Sequence, residues 1–175
     1  IVVAIENKRF ASELLEQEVQ KKEIQVAGEM QKLLFPLEFP KNKYIEVAAR
    51  YEPKHLVGGD YYDFIVLNES EYFFCIADVS GKGVAAALLM SNFQANLRAI
   101  IKYNYMKISL EDLIKNLNED VNNAAKGEKF ITFFAAHYNG KTKTLQYINA
   151  GHNYPILVDH QKTKLLNKGC IGLGM

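Results

Sequence analysis

A chain of 175 residues, 49% of them apolar, is long enough to bury one domain-sized core. Its net charge of +1 offers no long-range attraction to nucleic acid or an anionic membrane surface, and its two cysteines, Cys75 and Cys170, make no disulfide framework and suit a reducing cytoplasm. No apolar run approaches the roughly 20 residues of a membrane span, and the chain opens on Ile1 rather than Met, so it is read as a fragment of a longer protein.

From Val3 to Leu34 the only helix-breaking residue is Gly28, and Glu, Lys, Gln, Leu and Ala dominate, which predicts one long helix over residues 1–35. Its apolar residues, among them Leu14, Val19, Val26, Met30, Leu33 and Leu34, recur at threes and fours, but Asn7, Gln17 and Lys21 interrupt any clean heptad. The expectation is a parallel two-stranded coiled coil of shifting register that makes a homodimer, because the polar first half has little to bury in a single chain. A helix lying on its own domain is the alternative. Pro36 and Pro40 end it, and the alternation of Ile45, Val47, Ala49 and Tyr51 predicts a half-buried strand over 44–51.

Residues 57–83 hold the chemistry. Tyr61–Leu67 and Tyr72–Ala77 are aromatic and β-branched strand segments joined by the polar turn Asn68–Glu71, a β-hairpin with Asp60 and Asp78 at its open end. Strand pairing brings these two acids close, although a slip of one residue decides whether they share a face. Neighbouring carboxylates repel unless a cation intervenes, and oxygen-only ligands beside free glycine carbonyls suit Mg2+ or Mn2+. The plainer reading is that Asp60 caps a turn and Asp78 the following helix. A phosphate-loop reading of Gly81-Lys82 fails, because Ile76 stands where the first glycine is needed and Gly83 where Ser or Thr is needed.

An Ala- and Leu-rich helix follows over 84–101, apolar on most sides. Ser109 with Asp112 caps a second helix whose buried stripe is Leu110, Leu113, Ile114, Leu117 and Val121. Phe130–Tyr138 is a nearly all-apolar strand, turned tightly by Asn139-Gly140 into a strand over 144–149, and 154–158 with 163–166 forms a further hairpin around Asp159–Lys162. Antiparallel strands, two helices and more antiparallel strands give an α+β fold.

The segments VGGDYYDF (57–64), ADVSGKG (77–83) and NAGHNYP (149–155), in this order, resemble the bacterial SpoIIE/RsbU branch of the PPM metal-dependent serine/threonine phosphatases, and QKLLFP (31–36) resembles the family's lead-in. The resemblance covers residues 26–175. It implies a sandwich of two antiparallel sheets flanked by helices, occupying 36–175 and truncated at its C-terminus. It also implies a two-ion Mn2+ or Mg2+ centre held by Asp60, Asp78 and the backbone carbonyl of Val79 or Gly59. Gly58, Asp63, Gly81, Gly83 and His152 then shape or support that centre: Asp63 is expected to alternate onto the other face, and His152 to shape its loop rather than bind metal. His55 and Lys54 are read as a solvated loop.

The implied reaction is hydrolysis of phosphoserine or phosphothreonine by a metal-activated water, with a phosphorylated STAS-type regulatory protein, the antagonist of an anti-sigma factor, as substrate. The family takes further acidic ligands from later motifs that follow Met175, so this piece is expected to bind metal weakly and to be inactive alone. Residues 3–7 also resemble the last helix of GAF sensor domains, implying an upstream sensor in the same chain, with Met30–Leu34 repacking as the signal passes. Neither a nucleic-acid nor a membrane partner is expected. The rival expectation is a non-catalytic dimeric scaffold that captures a phosphoprotein or anti-sigma partner.

Overall fold

In the computed structural model, residues 2–104, 108–159 and 162–175 are described. The elements are α1 (Val2–Lys32), β1 (Asp60–Val66), β2 (Glu71–Val79), α2 (Val84–Asn104), α3 (Leu110–Ala125), β3 (Ile131–Asn139), β4 (Thr144–Ala150), β5 (Ile156–Asp159), β6 (Lys162–Leu165) and β7 (Gly169–Cys170). Five strands form one sheet in the order β1-β2-β3-β4-β7, antiparallel except that β7 runs parallel to β4, while β5 and β6 pair as a separate two-stranded sheet. The two expected sheets are therefore unequal. The larger carries the core, and the strand residues of the smaller are all exposed.

Alternation along the strands decides what each face does. On one face Tyr61, Phe73, Cys75, Ala77, Val79, Ile131, Phe133 and Ala135 pack into a single buried cluster with Met90, Phe93 and Leu97 of α2 and Leu113 and Leu117 of α3. Two edge-to-face ring contacts, Tyr61 on Phe93 and Phe93 on Phe133, cross that interface. Burial pushes the Cys75 thiol well above its ordinary range. α2 is long and apolar enough to cross a membrane by length and composition, but Ala86, Met90 and Leu97 are fully buried against the sheet, as in a core helix. At α3 the Ser109 hydroxyl accepts from the Asp112 amide at 3.0 Å and donates to its carboxylate at 2.8 Å, the expected cap.

The opposite face presents Asp60, Tyr62, Phe64, Phe74, Ile76, Asp78, Thr132 and Phe134. Phe39 covers part of it, against Tyr62 and Phe64, and Phe134, Ala136 and Leu166 form a small second cluster.

One expectation needs correction. Residues 44–51 form no strand: only an isolated bridge joins Lys41 to Glu46, and Ala48–Arg50 are exposed. Ile45, Val47, Ala49 and Tyr51 do alternate with polar neighbours and Ala48, but a strand without a ladder partner has nothing to satisfy its backbone. The β3–β4 turn falls at Asn139-Gly140 as expected, with four residues, 140–143, between the strands. Its left-handed residue is Lys143 (φ 54°), and Asn139 Oδ1 accepts from the amides of Lys141 and Thr142. β7 was not foreseen, because two residues in a glycine-flanked segment carry no periodic signal. The expected β5–β6 turn includes His160 and Gln161, which lie outside the described residues.

Candidate metal centre

Asp60 begins β1 and Asp78 comes next to last in β2, and the two are direct cross-strand partners. Cross-strand partners project to the same face, so the register places both carboxyls side by side at the open end of the hairpin, on the face away from the helices. They are close enough to hydrogen-bond. Burial first, then the charge of Asp78 and that hydrogen bond, raise the Asp60 carboxyl above the ordinary aspartate range.

The backbone entering β1 is held from three sides. Gly59 sits where a Cβ would come within 2.9 Å of the Val79 carbonyl oxygen, and the Val79 amide donates to the Gly59 carbonyl at 3.3 Å. Gln31, buried on the last turns of α1, uses both ends of its side-chain amide on Gly58: Nε2 donates to the Gly58 carbonyl at 2.8 Å, and Oε1 accepts from the Gly58 amide at 3.0 Å. One helical turn earlier, Gly28 lies so close to Leu56 that a Cβ would overlap its carbonyl oxygen. Tyr51 comes in from the third side, its ring stacked on Phe35 at 4.4 Å.

After β2 the chain turns through Gly81 (φ 93°) and Gly83 (φ 73°) into α2. Ser80 ties this turn to the start of β3, its hydroxyl accepting from the Phe130 amide at 2.9 Å and its carbonyl from Lys129 Nζ at 3.3 Å.

His152, on the β4–β5 loop, stands against the strand next to Asp78. Its Nδ1 lies 2.9 Å from the Thr132 hydroxyl, and Thr132 is the cross-strand partner of Asp78. Burial lowers its imidazole pKa, opposed by the charge of Asp60. The loop itself is shaped by buried Asn149, which accepts from the His152 amide at 2.7 Å and donates to the His152 carbonyl at 3.0 Å. A cleft of about 450 Å³ opens here between Asn149, His152, Tyr154 and Cys170. A larger one, about 570 Å³, lies at the far end of the strands between Phe73, His137 and Leu113, and neither cleft is lined by Asp60 or Asp78.

Asp63 is not with them. It points to the helix face, 2% exposed, where Arg98 of α2 donates to both its oxygens at 2.7 and 2.8 Å, the Phe64 amide donates at 2.8 Å and the Tyr61 hydroxyl donates as well. Lys54 and His55 are exposed. Of the six residues named for the linker helix, Leu14, Val19, Val26 and Met30 of α1 and Leu33 just after it are exposed, and Leu34 packs against the core.

Two carboxylates with the Gly59 and Val79 carbonyls beside them make an all-oxygen donor set, which fits a hard divalent cation. The Tyr51 hydroxyl adds to that fit: it is inaccessible beside Gly58, just before Asp60, and has no hydrogen-bond partner among the described residues. Among the described residues no group of three or more His, Cys, Asp and Glu side chains converges, so these residues supply part of a coordination sphere. Reading the sequence missed Gln31, Tyr51, Thr132 and Asn149 as parts of the site. Gln31 and Asn149 lie inside the quoted motifs, and only their contacts distinguish them from motif background.

The sequence profile described as Stage II sporulation protein E (SpoIIE) matches residues 68–175. The phosphoserine phosphatase RsbU of Bacillus subtilis (strain 168) is 34% identical over 138 residues, 79% of this chain and 40% of RsbU. Among solved structures, the SiaA-PP2C domain of Pseudomonas aeruginosa shares the fold with a TM-score of 0.72 at 14% identity, over 91% of this chain and 64% of that one. RsbX, solved in complex with magnesium, superposes with a TM-score of 0.53 at 18% identity, over 67% of this chain and 55% of that one. The chain spans less than half the length of RsbU.

Proposed function

Because the chain belongs to the SpoIIE family of PPM-type phosphatases, we propose that its protein is a metal-dependent serine/threonine phosphatase that hydrolyses phosphoserine or phosphothreonine on a regulatory protein of the STAS type. The observation that carries this reading is the register that sets Asp60 directly opposite Asp78 on the free face of the sheet. Asp60, Asp78 and the carbonyls of Gly59 and Val79 would hold the cation, Mn2+ or Mg2+. A divalent ion there supplies positive charge against a phosphoryl oxygen and lowers the pKa of attacking water.

The chain's own groups do the rest. Gln31 and Val79 fix the Gly58-Gly59 backbone and so the start of β1. Thr132 orients the His152 ring beside the carboxylates, and Asn149 fixes the loop that carries it. His152 at this position can pass a proton at the mouth of the cleft without binding the metal. Cys75 is not placed as a nucleophile: it is sealed in the core, its ionisation opposed by burial.

The same reading includes a cytoplasmic location, a homodimer joined through α1 and a sensor domain upstream whose state reaches the site through α1. Contact between α1 and the loop 56–59 supports this last part.

The test is manganese-dependent phosphate release from a phosphoserine protein by the full-length protein and its Asp78→Asn variant. Loss of at least about 100-fold in the variant is expected, since removal of a metal-binding charge removes the ion's contribution to the transition state. Absence of turnover in both, with the phosphoprotein still bound, would favour a non-catalytic scaffold instead.

A further inference from the structure

Tyr51 is only half-buried, yet its hydroxyl oxygen is inaccessible and has no hydrogen-bond partner among the described residues. Leaving a hydroxyl so placed is costly, and such groups in folded proteins usually have a partner in some state of the molecule. The ring is held by stacking on Phe35 at 4.4 Å and 27°. The hydroxyl is held against the turn that precedes the first ligand, only 2.8 Å from where a Cβ of Gly58 would stand. Gly58 cannot drift away, because Gln31 grips both of its backbone polar groups. Gly58 precedes Asp60 by two residues, so the hydroxyl stands at the entry to the first ligand.

An ionised Asp60 carboxylate that holds a cation is an acceptor only and has room for a donor from the protein. Ligating carboxylates are normally oriented by hydrogen bonds from neighbouring groups that do not touch the metal. Gln31 is committed to Gly58, and Thr132 is committed to His152. We propose that Tyr51 is a positioning residue of the metal centre, its hydroxyl donating to the Asp60 carboxylate in the metal-bound protein. This rests on the phosphatase reading, in which Asp60 is a metal ligand.

Tyr51→Phe separates the hydroxyl from the ring, keeping the stack on Phe35. The experiment titrates Mn2+ into the full-length protein and the variant, reading free Mn2+ by electron paramagnetic resonance, and records thermal unfolding of both without metal. The expected result is an Mn2+ Kd raised about tenfold, with a metal-free Tm unchanged or higher because an unpartnered buried hydroxyl has gone. An unchanged Kd overturns the proposal and leaves the phosphatase reading intact. A raised Kd accompanied by a lower metal-free Tm also overturns it, since the hydroxyl would then have a structural partner without metal. Failure of the parent protein to bind Mn2+ at all refutes the phosphatase reading, and this inference with it.

Discussion

Two aspartates three positions apart on β1 meet opposite surroundings because side chains alternate along a strand. Asp60 faces the open side with Asp78, where it is free for a cation, while Asp63 faces α2 and is consumed by Arg98, Tyr61 and the Phe64 amide. Breaking a pair with one fully buried partner costs about 3–5 kcal/mol. Because Arg98 is itself 44% exposed, Arg98→Ala is expected to cost about 2–3 kcal/mol in urea unfolding, after that discount. The same substitution in an Asp63→Asn background should cost about half as much, because no charge is left uncompensated. Equal costs in the two backgrounds would show that the ion pair is not what Arg98 contributes. The parity of Asp60 and Asp63 was legible in the sequence, since period-2 alternation is a local property. Arg98, 35 residues away on an apolar helix, was not: nothing local marks which cation a buried acid will choose.

At the scale of elements, α1 meets the domain through its last turns, and the contact differs from the one its apolar residues suggest. Leu33, expected to repack with Leu34, is 64% exposed, whereas Leu34 lies against the core and its carbonyl accepts from Gln94. The polar contact is Gln31 on Gly58, and the close approach is Gly28 on Leu56. Glutamine on a helix rich in Gln, Glu and Lys reads as solvated surface, which is why sequence reasoning passed over it. Gln31→Ala takes the side-chain partner from two part-buried backbone groups of Gly58, an expected loss of about 1–2 kcal/mol. Because Gly58 precedes Asp60 by two residues, Mn2+ affinity should fall as well. Leu33→Ser, at an exposed side chain, should change stability by no more than about 0.5 kcal/mol. Calorimetric unfolding with a metal titration distinguishes the two. A Gln31→Ala protein of parental stability and affinity would remove α1 from the site.

For the whole molecule, the unresolved balance lies in the rest of α1. Residues 6–23 are exposed throughout, and on this helix Phe10 is 63%, Leu15 63%, Val19 50%, Val26 58% and Met30 60% exposed. A helix that packs on nothing is marginal in water even at about 15 residues, because propagation barely repays nucleation. Its one ion pair among the described residues, Arg9 with Glu13 at 2.8 Å, is solvent-exposed and adds little. Large apolar side chains left uncovered over several turns therefore need a second surface, and a second copy of α1 supplies one of matching pattern. The expected outcome is a dimer by analytical ultracentrifugation at micromolar concentration. Leu14→Glu with Val19→Glu should convert it to a monomer and lower the helical circular dichroism signal, while the domain's unfolding transition persists. A monomeric parent that keeps its full helical signal would mean that α1 needs no partner, and the dimer proposed above would fall with it.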